Sequence, residues 1–221
     1  MTAQYGQDEF ALACLGGIRA GYFLDSGASD GVALSNTYSL EKAYQWQGIC
    51  VEPNIKLYSE LVRNRRCHCI NCCLFNHDGQ VTFLEADTLS GIVQEYHPIM
   101  HQKATTYMVT LRGEVAPGTV TRQCRTVRSI LRQFSAPRVI DYWSLDTEGS
   151  ELTILKAFPF NEYAFRVLTV EHNWLPIRQE IRSLLHRRGY EWVAELGCDD
   201  GYVNRAAPPS GAWRSAVWRR R

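Results

Sequence analysis

The sequence predicts an α/β fold in which helices cover both faces of a mainly parallel β-sheet. Apolar, strand-like runs alternate with segments of helical periodicity along most of the 221 residues. Four of the strongest runs end in an acidic residue, namely Asp25, Glu52, Asp146 and Glu171. The carboxyl ends of parallel strands meet at the ligand crevice of such folds, so we expect these acids to converge there.

The first half of the chain holds three predicted strands before its pattern weakens. The predicted elements are a strand at 22–25, a helix from about 31 to 45, a strand at 48–52, a helix at 56–63, a strand at 67–74 and a return strand at 80–84. From 85 to 121 we predict an irregular insertion, with at best a strand at 107–111. This insertion is either a lid or binding segment, or a surface loop with no role.

Regular structure returns at residue 127. The predicted elements are helices at 127–134, 151–157 and 176–188, and strands at 139–146, 165–171, 190–196 and 202–205. The turn at 197–201 joins the last two strands into an antiparallel hairpin at one edge of the sheet. No repeat or linker interrupts the chain, so we predict one domain with a basic, mobile tail at 213–221.

Composition and charge narrow the class of protein. The formal net charge of +1 gives no general attraction to nucleic acid or to a membrane. No apolar run is long enough to span a bilayer, and the first residues lack the features of a signal peptide. We therefore expect a soluble, cytoplasmic protein that binds no nucleic acid. Its oligomeric state is left open.

Four of the eight cysteines crowd one segment, at Cys67, Cys69, Cys72 and Cys73. They could hold zinc, but the segment alternates like a strand, which sends neighbouring thiols to opposite faces. A structural zinc site usually joins two separated pairs instead. We therefore predict reduced, buried thiols and no metal.

The turn after the first strand indicates a nucleoside-containing cofactor. Gly27 lets the backbone approach a ligand closely, and Glu52 can accept hydrogen bonds from both hydroxyls of a ribose. A solvated strand end is the alternative interpretation of Glu52, which we do not favour. The chain contains no GxxxxGK[ST] loop, and its turn lacks the GxGxxG spacing of dinucleotide-binding proteins. These absences argue against a triphosphate or nicotinamide cofactor.

Taken together, these motifs resemble the FkbM-type S-adenosylmethionine-dependent methyltransferases. The matching segments are FLDSGASDG at 23–31, GICVEPN at 48–54, IDYWSLDTEGSE at 140–151, VEHN at 170–173, RGY at 188–190 and QYGQDE at 4–9. Ser26 and Ser29 depart from the family, which usually has an apolar residue and Asn there. The resemblance implies a Rossmann-like class I methyltransferase domain over residues 1–221. Its mostly parallel, seven-stranded sheet would have one antiparallel strand.

The resemblance also implies S-adenosylmethionine as cofactor and assigns residues to it. Asp25 and Gly27 would contact its methionine end, Glu52 its ribose, and Asn71 and Cys72 its adenine. The other predicted cofactor-binding residues are Ser29, Asp30, Gly31, Pro53, Asn54 and Asp146. We expect Gly27→Val to abolish binding and leave the fold intact, because a branched side chain would intrude on the cofactor and oppose positive φ.

Methyl transfer to a hydroxyl benefits from a base that removes its proton. The candidate catalytic residues are Asp146, Glu148, Glu171 and His172, which follow two neighbouring strands. Glu148 could instead stabilise a helix N-terminus, and His172 could be structural. A divalent metal held by Asp146, Glu171, His172 and Asn173 is a second route, which we do not favour.

The sequence therefore predicts a methyltransferase that acts on a hydroxyl of a sugar, glycan or small metabolite. A non-catalytic cofactor-binding module of the same fold is the first alternative. A nicotinamide-dependent oxidoreductase is the second, and the absence of a Tyr-x-x-x-Lys pair argues against it.

Overall fold

The computed structural model describes residues 3–111, 113, 116–207 and 218–219. Its strands are β1 (Tyr22–Ser26), β2 (Gln47–Val51), β3 (His68–Ile70), β4 (Cys73–Leu74), β5 (Gly79–Glu85), β6 (Gly91–Ile92), β7 (Gly118–Arg125), β8 (Val139–Leu145), β9 (Ala164–Glu171), β10 (Tyr190–Leu196), β11 (Asp199–Asn204) and β12 (Trp218–Arg219). Its α-helices are α1 (Gln7–Cys14), α2 (Tyr38–Tyr44), α3 (Ile55–Asn64), α4 (Pro98–Thr106), α5 (Val127–Gln133), α6 (Glu151–Ala157) and α7 (Ile177–Arg187).

The main sheet has the strand order β3-β2-β1-β8-β9-β11-β10, and the two residues of β12 extend its β10 edge. Neighbouring strands pair in parallel except where β11 is involved, since β11 runs antiparallel to both β9 and β10. This arrangement confirms the predicted α/β fold with a mostly parallel, seven-stranded sheet and one antiparallel strand. The predicted hairpin is present, but its second strand lies inside the sheet.

Helices cover both faces of the main sheet because its strands are apolar on both sides. On one face, Trp143 of β8 packs against Phe165 with the two rings tilted by 31°, and α5, α6 and α7 surround them. On the other face, Tyr142 packs with residues of α1, α2 and α3, including Phe10 and Leu40. Consecutive residues of β8 thus point to opposite cores, as the two-residue period of a strand requires.

A second, four-stranded sheet with the order β4-β7-β5-β6 lies beside the first. The predicted strand at 67–74 is wrong as one element, because β3 pairs with β2 in the main sheet and β4 pairs with β7 in the small one. Asn71 stands between them and donates from Nδ2 to the carbonyls of Glu52 and Pro53. These bonds turn the chain from one sheet to the other.

The segment 85–121 contains more regular structure than the sequence indicates. It includes β6, α4 and the start of β7, and Tyr107–Leu111 continues α4 as a π-helix, so the strand expected at 107–111 is wrong. Buried Met100, Ala104 and Met108 recur every four residues, which places them on one helical face. Ala104 and Met108 pack with Leu84 and Ala86.

The first predicted helix, from about 31 to 45, is also shorter than expected. Oδ1 of Asp30 accepts hydrogen bonds from the backbone N–H groups of Val32 and Ala33, and Leu34 has a φ of 57°. A left-handed residue cannot continue a right-handed helix, so α2 begins only at Tyr38.

No helix in the described ranges has the length and apolar character needed to cross a bilayer. Of the predicted basic tail at 213–221, the structure describes only 218–219, so the remainder of that prediction lies outside the described residues.

Candidate functional site

A cavity of about 240 Å³ opens at the carboxyl ends of β1, β2, β8 and β9. One water molecule needs on the order of 10–15 Å³ on the same measure, so the cavity can accept a ligand of many atoms. The predicted site residues that line it are Asp25, Gly27, Ser29, Glu52, Pro53, Cys72, Asp146, Glu148 and Glu171. The structure thus brings the four strand-end acids, Asp25, Glu52, Asp146 and Glu171, to one space.

The turn after β1 connects three strand ends. The N–H groups of Gly27 and Ala28 both donate to the carbonyl of Val51, and the N–H of Asp146 donates to the carbonyl of Ser26. Gly27 has a φ of 84°, and a Cβ there would lie 1.9 Å from the carbonyl oxygen of Asp146. The expectation that Gly27→Val leaves the fold intact is therefore wrong, because the added side chain meets the backbone after β8.

Asp25 ends β1 as a buried carboxyl group. Thr37 donates from Oγ1 to Oδ2 of Asp25 at 2.5 Å, and the guanidinium of Arg65 donates to Oγ1 of Thr37 at 2.9 Å. Burial raises the pKa of Asp25 to about 6, although Arg65 and Thr37 oppose that rise. Asp25 is thus poised between its neutral and charged forms on the cavity wall.

Glu52 follows β2 and holds the two loops on either side of it. Its Oε2 accepts from the N–H of Ser29 at 2.8 Å, and its Oε1 accepts from the N–H of Asn54 at 2.7 Å. Burial raises its pKa to about 7, against these two hydrogen bonds. Each oxygen keeps a second lone pair, so the carboxylate can still accept from two ligand hydroxyls.

An acidic cluster forms the far wall of the cavity. Single oxygens of Asp146, Glu148 and Glu171 lie within 4.8 Å of one another. Burial, with the charge of the neighbouring acids, raises the pKa of Glu148 to about 8 and holds those of Asp146 and Glu171 well above their usual values. Without a bound cation, these carboxyl groups are therefore at least partly protonated near neutral pH.

Glu151 organises the loop that presents Glu148. Its carboxylate accepts from the N–H groups of Thr147 at 2.7 Å and Gly149 at 3.0 Å, and from Oγ1 of Thr147 at 2.9 Å. Glu148 itself has a φ of 57°, which is a strained conformation for a side-chain-bearing residue. The acidic block after β8 thus contains one acid that supports the loop and two that face the cavity.

Other residues line the cavity that the sequence analysis did not select. Lys103 reaches it from α4, and its charge opposes the rise in the Glu148 pKa. Asn36 donates from Nδ2 to Oγ of Ser144, and its buried Oδ1 has no hydrogen-bond partner in the described ranges. Trp174, with 63% of its surface exposed, stands at the rim. The motifs around the strand ends give no signal for Lys103 or Asn36, because contacts between distant parts of the chain bring these residues to the cavity.

The structure places His172 outside this cavity, in the wall of a smaller one beside it. Its Nδ1 accepts from the N–H of Trp174 at 3.0 Å, and its Nε2 lies 3.7 Å from Oδ1 of Asp200. Arg178 and Arg182 also bind Asp200. Burial lowers the pKa of His172 to about 4. These contacts suit a structural histidine better than a base that touches the acceptor.

Four predicted cofactor-binding residues support the cavity without lining it. They are Asp30, Gly31, Asn54 and Asn71. Asp30 holds the turn before α2, and Asn54 caps α3 by accepting from the N–H of Lys56 at 3.0 Å. They shape the two loops after β1 and β2 that border the cavity, and their contact with a cofactor stays a prediction.

Two groups of side chains in the described ranges have spacings that could hold a metal ion. They are Asp146 with Glu148 and Glu171, and Glu171 with Cys198 and Asp199. Both include Glu171, so they are two parts of one acidic surface. The donors are mainly oxygens, which suit a hard cation such as Mg²⁺ and would equally attract an organic cation.

Comparison with known proteins supports a specific family. The profile described as Methyltransferase FkbM domain matches residues 25–192, which is more than half of the chain. No curated protein matches the sequence.

Three solved structures resemble the fold. The first is a methyltransferase FkbM from Methylobacillus flagellatus KT, with a TM-score of 0.48 and 14% identity, covering 83% of this chain and 43% of that one. The second is a precorrin-6y C5,15-methyltransferase from Geobacter metallireducens GS-15, with a TM-score of 0.46 and 10% identity, covering 89% of this chain and 84% of that one. The third is a candidate RNA methyltransferase from Pyrococcus horikoshii, with a TM-score of 0.45 and 12% identity, covering 90% of this chain and 83% of that one. This chain spans less than half the length of the first structure.

Proposed function

The chain belongs to the FkbM methyltransferase family, and from this we propose that it transfers a methyl group from S-adenosylmethionine to a hydroxyl of a sugar, glycan or small metabolite. One observation carries the proposal. The described lining of the cavity contains several carboxyl groups, including Asp25, Glu52, Asp146 and Glu171, and a single basic residue, Lys103. Such a cavity favours a ligand with positive charge, and the sulfonium and ammonium groups of this cofactor carry it.

The cavity offers a suitable group for each part of the cofactor. Glu52 can accept two charge-assisted hydrogen bonds from the ribose hydroxyls. The unpartnered Oδ1 of Asn36 and the carboxyl of Asp25 can accept from the ammonium group. Pro53 and Cys72 line the side where the adenine is expected. The residues present therefore fit the cofactor that the family implies.

The acidic cluster provides the group that accepts a proton from the acceptor hydroxyl. Bound S-adenosylmethionine provides an electrophilic methyl group next to a positive sulfur. A positive charge close to Asp146, Glu148 and Glu171 favours their ionised forms, so it lowers the raised pKa values of these groups. An ionised carboxylate can then orient the acceptor hydroxyl and take its proton as the methyl transfers. We assign this role to the cluster, and to Glu148 first, because Glu151 holds its loop beside the cavity and its pKa is raised to about 8, close to neutrality.

Titration calorimetry with S-adenosylmethionine tests the cofactor. The native chain should bind it, and Glu52→Ala should bind at least about 30-fold more weakly, since two charge-assisted hydrogen bonds are worth roughly 2–3 kcal/mol. Glu60→Ala, at an exposed position on α3, is the matched control and should bind like the native chain. Equal affinity in native and Glu52→Ala proteins would remove Glu52 from the site.

A turnover assay separates an enzyme from a binding module. The chain is incubated with S-adenosylmethionine and panels of sugars, glycans and hydroxylated metabolites, and release of S-adenosylhomocysteine is followed. Methyl transfer to oxygen supports the proposal, and transfer to nitrogen would contradict its finer part. Cofactor binding without turnover on any panel would favour the non-catalytic module. Loss of turnover on adding a chelator would show that a divalent metal takes part.

A further inference from the structure

A pair of free thiols lies behind the cavity wall, outside the proposed site. Cys50 is buried in β2, and its register partner in β1 is Asp25. Cys67 precedes β3 and is partly exposed. The two Sγ atoms are 3.5 Å apart. Since Cys67 stands outside the β-ladder, its side chain can move without breaking sheet hydrogen bonds.

The surroundings of Cys67 favour its charged form. Hydrogen bonds from Cys50 and Cys69 and the positive charge of Arg65 lower the pKa of Cys67 to about 5, although burial opposes this. Burial raises the pKa of Cys50 well above its usual value. A thiolate close to an arginine, partly open to solvent and beside a second thiol is the arrangement in which cysteines react with oxidants.

We propose that Cys67 and Cys50 form a redox-active pair that a peroxide converts into a disulfide. The Cys67 thiolate attacks one oxygen of hydrogen peroxide, the O–O bond breaks, and sulfenic acid forms while the released hydroxide takes up a proton. The Cys50 thiol then attacks the sulfenic sulfur, loses its proton and expels hydroxide, and these combine as water. Overall, two thiols are oxidised to one disulfide and one peroxide is reduced to two waters.

The geometry selects Cys50 over the third nearby thiol as the resolving residue. The Sγ of Cys50 contacts the Sγ of Cys67 at 3.5 Å, whereas the Sγ of Cys69 is directed at the carbonyl oxygen of Cys67, at 3.6 Å. A disulfide bond is about 2.05 Å long, so Cys50 and Cys67 need to approach by only ~1.5 Å.

Peptide mapping of the native protein provides the first test. After brief treatment with a small excess of hydrogen peroxide, two of the eight free thiols should disappear, and a peptide linking Cys50 to Cys67 should be found. A thiol reductant should restore all eight. A link between Cys50 and Cys69, first oxidation at Cys72 or Cys73, or an unchanged thiol count would overturn the proposal. This measurement requires no variant to fold.

Substitutions then assign the two roles. Cys50→Ser should stop at sulfenic acid on Cys67, which a cyclic 1,3-diketone traps. Cys67→Ser should react with peroxide at least tenfold more slowly than the native chain. Cys124→Ser, a change at a buried thiol of the small sheet, is the control and should form the disulfide normally. If Cys67→Ser is oxidised as fast as the native protein, Cys67 is not the attacking residue.

Discussion

At the residue scale, protonation of the acidic cluster governs the expected behaviour of the site. Glu148 stands on a strained loop, held there by Glu151, and its pKa is raised to about 8 by burial and by the charge of Glu151. Burial and the charges of neighbouring acids also hold the pKa values of Asp146 and Glu171 well above their usual range. These groups must lose protons before one of them can act as a base.

The pH profile of turnover follows from this requirement. We expect kcat/KM for S-adenosylmethionine to rise with pH through a value near 8, the Glu148 pKa of the cofactor-free protein, because this ratio reports the free enzyme and a carboxyl acts as a base only when ionised. Glu148→Gln should remove this rising limb and lower turnover by roughly 10²-fold. Rates measured across pH on the true acceptor check it, with Glu180→Gln, an exposed change on α7, as control. An unaltered profile in Glu148→Gln would transfer the role to Asp146 or Glu171.

His172 gives a contrasting prediction. Because its ring binds the N–H of Trp174 and faces Asp200, His172→Ala should lower kcat by less than about tenfold. Asp146→Asn, within the cluster, should lower kcat by about 10²-fold or more. Steady-state kinetics of both variants under one set of conditions show whether the base lies in the acidic cluster or is His172. A larger loss in His172→Ala than in Asp146→Asn would restore His172 as the base.

At the scale of elements, periodicity predicted the strands that carry the site. The apolar runs ending at Asp25, Glu52, Asp146 and Glu171 are long and uniform, and the structure brings these acids to one cavity. Their roles in binding and catalysis remain predictions. The α6 helix, at Glu151–Ala157, has the predicted bounds because its apolar positions recur with helical spacing.

The elements that sequence reasoning missed depend on distant contacts. Helix α1 has little amphipathic pattern, and its Phe10 is buried only because strands from the far end of the chain cover it. The split at Asn71 depends on the carbonyls of Glu52 and Pro53. Lys103 and Asn36 enter the cavity from loops and helices whose placement no local pattern encodes.

The turn at Gly27 yields a prediction at this scale. Gly27→Ala should lower the free energy of unfolding by at least ~2 kcal/mol, because positive φ and overlap with the Asp146 carbonyl both disfavour a Cβ. Cofactor affinity should fall with it, since the turn sets the positions of β1 and β8. Urea unfolding and calorimetry measure the two effects. Gly118→Ala is the control, as a Cβ there meets nothing within 4 Å, and native-like stability of Gly27→Ala would contradict the turn geometry.

At the scale of the whole molecule, the buried acids make stability depend on pH. Burial raises the pKa of Glu52 to about 7 and that of Glu148 to about 8, both above the 4.5 of an exposed glutamate. Between about pH 4.5 and about pH 8, the folded chain therefore holds protons that the unfolded chain has already released. Each of these two groups lowers the stability of the fold as pH rises from 4.5 to its own raised pKa. The pKa of His172 is lowered from 6.5 to about 4, so this residue makes stability rise with pH, but only between about pH 4 and about pH 6.5.

We therefore expect the cofactor-free protein to lose stability between about pH 6.5 and about pH 8. Urea unfolding at several pH values within this window measures the slope, and Glu148→Gln should make it shallower. Cys67 opposes the trend, because its lowered pKa adds stability as pH rises, so Cys67→Ser should make the slope steeper. Stability that rises with pH in the native chain would show that the cluster is ionised before the cofactor binds.

The position of β11 has a consequence for how the chain acquires its fold during synthesis. β10 is made first, yet its place in the sheet depends on β11, which separates it from β9. Until residues 199–204 emerge from the ribosome, the edge of β9 exposes unpaired backbone groups, and an exposed edge strand is a template for aggregation. A chain arrested before Tyr202 therefore carries the residues that line the cavity beside an unpaired strand edge, which stays exposed until β11 is made.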